Sequence, residues 1–156
     1  MNKLIFWDAE TNGLFGNPFA IAAIVYECND LDENEWIETD RIILSLPDSF
    51  VTNQWAIDNV LPTLCNVVVT NDTYESMLSD FAEFYLKHKN NAKFVSHMGY
   101  IVEAFVLREM NRLGFIGDFD GPYSDKFAAW HDISQDLENA GYATDSVDSY
   151  FKNKGL

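Results

Sequence analysis

The chain opens on Leu4-Ile5-Phe6-Trp7 and then, with no turn between, sets Asp8 and Glu10 one residue apart. That junction constrains the fold more than any other feature. A near-continuous apolar run reads as a strand buried on both faces. Asn12-Gly13 ends it in a turn. On a strand, residues i and i+2 point the same way at a rise of roughly 3.3 Å per residue, so Asp8 and Glu10 stand about 6–7 Å apart on one face. The plainest account is a strand that surfaces in polar residues before a turn. The alternative starts from repulsion. Two acids at the end of a core strand repel and resist desolvation, and divalent cations between them would offset both effects.

The full string Phe6-Trp7-Asp8-Ala9-Glu10-Thr11-Asn12-Gly13-Leu14 resembles the first motif of the DEDD 3′-to-5′ exonucleases. That superfamily includes proofreading exonuclease subunits, oligoribonuclease and ribonuclease T. Its usual form is an apolar strand followed by Asp-x-Glu-Thr-x-Gly-Leu, and every fixed position is matched here.

Length allows one domain, residues 1–156, with a proper core. Hydrophobic residues at 47% and aromatics at 15% exclude a disordered chain. Asp8 and Glu10 stand where an export signal would need its apolar centre. The longest apolar run, Phe19 to Tyr26, is too short to span a membrane. Cys28 and Cys65 lack metal-ligand spacing and read as reduced cysteines in or near the core of a cytoplasmic protein. A net charge of −15 with only ten Lys and Arg argues against tight binding of long duplexes. Short single strands held by metal, stacking and backbone contacts suit it better.

In order, Phe19–Cys28 reads as a second strand, 29–35 as an acidic loop, and Trp36–Leu46 as a third strand. Val51–Leu64 reads as a helix that Pro62 interrupts. Thr70–Thr73 is a turn with an N-cap candidate. Tyr74–His88 is the clearest helix, with Met77, Leu78, Phe81, Phe84, Tyr85 and Leu86 on its apolar face. His88 reads as a solvated partner of the helix dipole. A short strand, Ala92–Ser96, and a helix from Ile101 to Leu113 ended by Gly114 follow. Gly121-Pro122-Tyr123 reads as a turn, Phe127–His131 as a fifth strand, and Ile133–Ala140 and Ser146–Asn153 as helices. This order gives a single α/β domain. It is also how the ribonuclease H-like fold of the resembled superfamily begins, a mixed five-stranded sheet flanked by helices.

Ser96-His97-Met98-Gly99-Tyr100-Ile101-Val102-Glu103 resembles the superfamily's second motif, in which a strand ends in His-Asn and an acid follows on the adjoining helix. The acid there is usually Asp; here Glu103 takes its place, Met98 replaces Asn and Val102 an aromatic. Read locally, Glu103 is equally an exposed acid favoured by the dipole of the first helical turn, and His97 a hydrogen-bonded strand-end histidine. The third motif, His-x-x-x-x-Asp or Tyr-x-x-x-Asp on a final helix, has one candidate, His131 with Asp136. It falls early, beside Asp132, where relatives carry an acid at the end of the fifth strand. The stronger reading is that the usual third-motif helix is missing.

The resemblance implies metal-assisted hydrolysis of the 3′-terminal phosphodiester of single-stranded RNA or DNA or short oligonucleotides. Asp8, Glu10 and Glu103 would hold two divalent cations, Mg²⁺ or Mn²⁺. Thr11, Asn12 and His97 would contact substrate and Leu14 would wedge against the terminal base, although Leu14 and Phe15 also read as the apolar anchor of a loop. A homodimer could supply the missing helix. The alternative is a catalytically weakened domain of the same fold that binds nucleic acid or protein.

Overall fold

The computed structural model describes residues 3–29, 32–117, 127–143 and 152. Five strands form one sheet in the order β3-β2-β1-β4-β5. They are β1 (Lys3–Thr11), β2 (Pro18–Asn29), β3 (Asp32–Ser45), β4 (Lys93–Ser96) and β5 (Ala129–Asp132). β1, β2 and β3 form an antiparallel meander, while β4 runs parallel to β1 and β5 parallel to β4. The helices are α1 (Gln54–Asn59), α2 (Tyr74–His88), α3 (Val102–Arg112) and α4 (Ser134–Asn139). This is the mixed, helix-flanked α/β architecture that the order of elements predicts, with β4 beside β1.

β1 is buried on one face, not two. Ile5, Trp7 and Ala9 point into the core, whereas Phe6 is 45% exposed. Among the described residues no helix covers the other face, so apolar character extends to a side that stays open. Trp7 stacks on Phe81 of α2 with ring centroids 5.2 Å apart, meets Phe94 of β4 edge-on at 6.0 Å and Trp130 of β5 at 5.4 Å. One side chain thus ties three strands and a helix together. Rings in these geometries attract beyond the area they bury. Its indole Nε1 is buried without a hydrogen-bond partner, an unfavourable term that the packing must exceed.

α2 matches the predicted span. The Thr73 hydroxyl caps it by accepting from the Ser76 N–H. Met77, Leu78, Phe81, Phe84 and Tyr85 are buried, but Leu86 lies off the stripe and is 39% exposed. His88 is not solvated. It is buried, its Nε2 sits 2.9 Å from the Asp40 carboxylate on β3, and Lys87 reaches the same oxygen at 2.7 Å. Hydrogen bonds from Lys87 first and His88 second hold the Asp40 carboxyl down at about 2. An acid on the sheet face beneath the helix therefore draws inward a histidine that helix position alone would leave outside.

Other differences have local causes. β2 and β3 continue past the end of β1 as a two-stranded ribbon that brings Asn29 opposite Asp32, so strand occupies part of the expected acidic loop. α1 begins late because Asn53, not Val51, caps it, accepting from the Ala56 N–H; the chain then tightens into a 3-10 turn, Leu61–Leu64, with Pro62 in its first turn. β5 starts two residues later than predicted. Gly114 and Gly141, with φ of 79° and 81°, close α3 and α4 as expected. Cys28 is half-buried and Cys65 is exposed, so only the first lies near the core. The expected turn at 121–123 and helix at 146–153 fall outside the described residues. Among the described residues, no helix is long and apolar enough to cross a membrane.

The packing of Trp7 sets a measurable expectation. Trp7→Ala lowers the unfolding free energy by about 3–5 kcal/mol. Trp7→Phe lowers it by less than half as much, since a ring still fills most of the space and the unpaired N–H is gone. Urea denaturation of both variants measures the two values.

Candidate functional site

The in-and-out alternation of β1 decides where its acids go. With Ile5, Trp7 and Ala9 inward, Asp8 and Glu10 take the other face. Asp8 lies opposite Ala22 and Glu10 opposite Ala20 on β2, small neighbours that leave the carboxylates room. Past Glu10 the register slips by a bulge, which lets the chain turn away at Thr11. Two depressions flank this strand end. One, of about 330 Å³, holds Asp8 with Phe6, Ile24, Val95, His97 and Ile133. The other, of about 410 Å³, holds Glu10 with Thr11, Leu14, Trp55 and Val102.

Glu103 settles its two readings in favour of the interior. It is 1% exposed, at the first turn of α3, and its Oε2 is buried with no hydrogen-bond partner. Burial pushes its carboxyl up to about 8; backbone N–H groups of Glu103 and Ala9 work against that, and the charges of Asp8 and Asp132 add to it. Asp8 is open on its groove side but crowded at its base. Desolvation raises its carboxyl, while the Ala9 N–H, the His97 imidazole and a hydrogen bond with Glu103 draw it down. Glu10 is also raised, by burial first and by the Asp8 charge second. Three carboxyls thus sit above their ordinary values around one strand end, burial being the first cause at each.

The donor set fits a divalent cation. Carboxylate oxygens are the ligands Mg²⁺ and Mn²⁺ favour, and Glu103 Oε2 is a buried oxygen with no hydrogen-bond partner. Even so, no group of three or more His, Cys, Asp or Glu among the described residues is arranged to cage an ion. Asp8 and Glu103 meet, and Glu10 opens toward the neighbouring depression.

The remaining predicted residues divide. His97 lines the Asp8 groove and its charge is felt at Asp8. Leu14 is 53% exposed and Phe15 75%, so neither serves as a buried loop anchor. Thr11 donates to the Gly13 carbonyl at 2.8 Å, inside its own turn. The Asn12 side chain clips two loops together. Its Oδ1 accepts from the Thr52 N–H at 2.6 Å, and its Nδ2 donates to the Phe50 carbonyl at 3.0 Å. His131 and Asp136 pair with each other at 2.6 Å, near the surface.

Trp55 escapes the sequence reading, and so does the part that the strand-end acid Asp132 plays. Trp55, 66% exposed, forms a wall of the Glu10 depression; the signal was a tryptophan in the polar setting Asn53-Gln54, two residues past a helix cap. Asp132 accepts backbone N–H groups from the loop that leads to Glu103. Nothing in its spacing announces that.

No family model matches this sequence, and no curated protein does. Among solved structures the fold is similar to E. coli exonuclease I. The zinc-bound ExoI–ssDNA complex matches with a TM-score of 0.60 at 14% identity over 90% of this chain. The complex of E. coli exonuclease I with a 5cy-dA13 oligonucleotide matches at 0.57 and 14%, also over 90%. An ExoI/SSB-Ct complex matches at 0.60 and 13%, again over 90%. In each case the chain spans 30% of the other protein's length. At such identities the likeness is one of fold.

The raised Glu103 carboxyl has a signed consequence. Without metal, the unfolded chain gives up this proton near the ordinary 4.5 and the folded one near 8, so folding stability falls as pH rises across that window. In EDTA, Glu103→Gln flattens the fall, and at pH 8 it is more stable than wild type by on the order of 1–3 kcal/mol. Denaturation midpoints at pH 5 and pH 8 check this.

Proposed function

We propose that this chain is a metal-dependent 3′-to-5′ exonuclease domain acting on single-stranded or short nucleic acid. The observation that carries the reading is the meeting of Asp8 with the fully buried Glu103, whose Oε2 has no partner. The resemblance of the Asp8–Leu14 string and the exonuclease I-like fold support it. Asp8, Glu10 and Glu103 would hold the cations. Bound there, divalent cations supply an activated water and neutralise charge developing on the phosphate and the leaving oxygen.

The chain's own residues position the substrate. The Glu10 depression offers Leu14 and the exposed indole of Trp55, an apolar slot beside an acid. It suits an unpaired nucleobase, which stacks on aromatic rings whatever its sequence. His97, in the Asp8 groove, lies within reach of a phosphate carried past Asp8. The net charge of −15 leaves little for gripping a long duplex, so contacts at one strand end carry the binding.

A second reading, a weakened domain of the same fold that binds without cleaving, draws on two facts. The acids do not form a three-ligand cage among the described residues, and His131 and Asp136 engage each other at an exposed position.

Incubation of 5′-labelled RNA and DNA oligonucleotides with Mn²⁺ or Mg²⁺ separates the readings. The proposal expects a ladder shortening from the 3′ end. Asp8→Ala lowers its rate more than about a hundredfold, beyond what loss of an outer metal partner does. Trp55→Ala raises KM about five- to a hundredfold, the equivalent of roughly 1–3 kcal/mol of stacking, with little change in kcat. Melting that rises with Mn²⁺ but no ladder favours the weakened domain. Neither response overturns both.

A further inference from the structure

The link from β4 to α3 is an improbable piece of backbone. Met98 adopts φ of 56°, a left-handed conformation that a residue with a side chain takes at a penalty of about 1–3 kcal/mol. Gly99 follows where any Cβ would overlap the Ser96 hydroxyl and the Trp130 ring. Such a path persists only if something outside it holds it.

Asp132, at the end of β5, supplies that hold. Its Oδ1 accepts the Met98 N–H at 3.1 Å and the Ser134 N–H at 2.9 Å, and its Oδ2 accepts the Tyr100 N–H at 3.4 Å. The Ser134 hydroxyl shares the Met98 N–H at 3.0 Å. The Ile133 N–H reaches the Ser96 carbonyl at 3.0 Å, locking β5's end to β4's. The held segment carries His97 at one end and leads into Glu103 at the other. Both carboxylate oxygens are engaged with backbone, so Asp132 serves the loop.

We propose that Asp132 is a positioning residue: it fixes the loop from His97 to Glu103 so that Glu103 meets Asp8 at the strand end. This rests on the metal reading given above. The placement of a ligand by its hydrogen-bonded supports commonly sets metal affinity by 10–100-fold.

The test is a Mn²⁺ titration followed by melting temperature, with amide hydrogen exchange over residues 97–103, on wild type, Asp132→Ala, Asp132→Asn, Ser134→Ala and a remote core variant, Leu78→Ala. Asp132→Ala is expected to weaken Mn²⁺ about 10–100-fold and speed exchange at Met98 and Tyr100. Asp132→Asn keeps an oxygen for Met98 and Ser134, and should restore affinity to within about threefold of wild type. Ser134→Ala, losing the shared acceptor and the hydroxyl's own bond to Asp132 but keeping the carboxylate, shifts it in the same direction by less. Leu78→Ala melts lower with unchanged Mn²⁺ affinity, which marks the effect of destabilisation alone.

Asp132→Ala that melts lower but binds Mn²⁺ like wild type makes the residue merely structural and overturns the proposal. An Asn variant as impaired as the Ala variant overturns it in favour of direct ligation through the charge. A wild type without any Mn²⁺ response defeats the metal reading itself, and this proposal with it; that result is distinct because it appears before any substitution is made.

Discussion

The contact of Trp7 with Phe81, Phe94 and Trp130 is what the rest of the molecule leans on. It fixes which face of β1 looks inward, and because a strand alternates, it fixes the opposite fate of the next residue. A one-residue slip would bury Asp8 and Glu10 in a hydrophobic core, at a penalty no single packing gain offsets. Aromatic burial and acid exposure are therefore one decision. The same ring also orders the sheet, because β1, β4 and β5 each send an aromatic side chain to it or carry it.

Glu103 shows how packing holds an acid away from water. Its side chain is held inside by α3, whose Val106 and Met110 are fully buried in the same core, so the helix cannot rotate the acid outward without exposing them. The chain thus keeps a desolvated carboxyl beside Asp8. Glu is one methylene longer than the Asp usual in the resembled motif, and it reaches Asp8 from a helix start that Asp132 and the Met98 turn set in place.

Sequence periodicity disclosed what depends on neighbours in sequence. α2 and its Thr73 cap, the short strand β4, and the glycine stops at Gly114 and Gly141 are all local patterns. That Asp8 and Glu10 share a face was legible for the same reason, since they stand at i and i+2 of one strand. What stayed hidden depends on partners far along the chain. His88 is buried because Asp40, 48 residues away, waits on the sheet. Phe6 is exposed because no described helix covers its side. Asn12 is tied up by Phe50 and Thr52, and Asp132 matters through Met98, 34 residues earlier. Glu103's burial lies between these cases: its helical position was plain, but nothing local distinguishes a first-turn acid facing solvent from one facing a sheet.

The ribbon of β2 and β3 bears on how such molecules behave in a crowd. β3 is fourteen residues long and ends the sheet on its side, so it offers a row of backbone groups to any passing strand, the usual starting point for aggregation. It is not a smooth template. The pairing with β2 slips between Val25 and Tyr26, where Thr39 is the extra residue, and again between Cys28 and Asn29. Glu38, Asp40 and Arg41 flank the first slip with charge. A strand that docked there would have to follow the kinks and desolvate those groups, so the irregular edge protects the chain from stacking on itself.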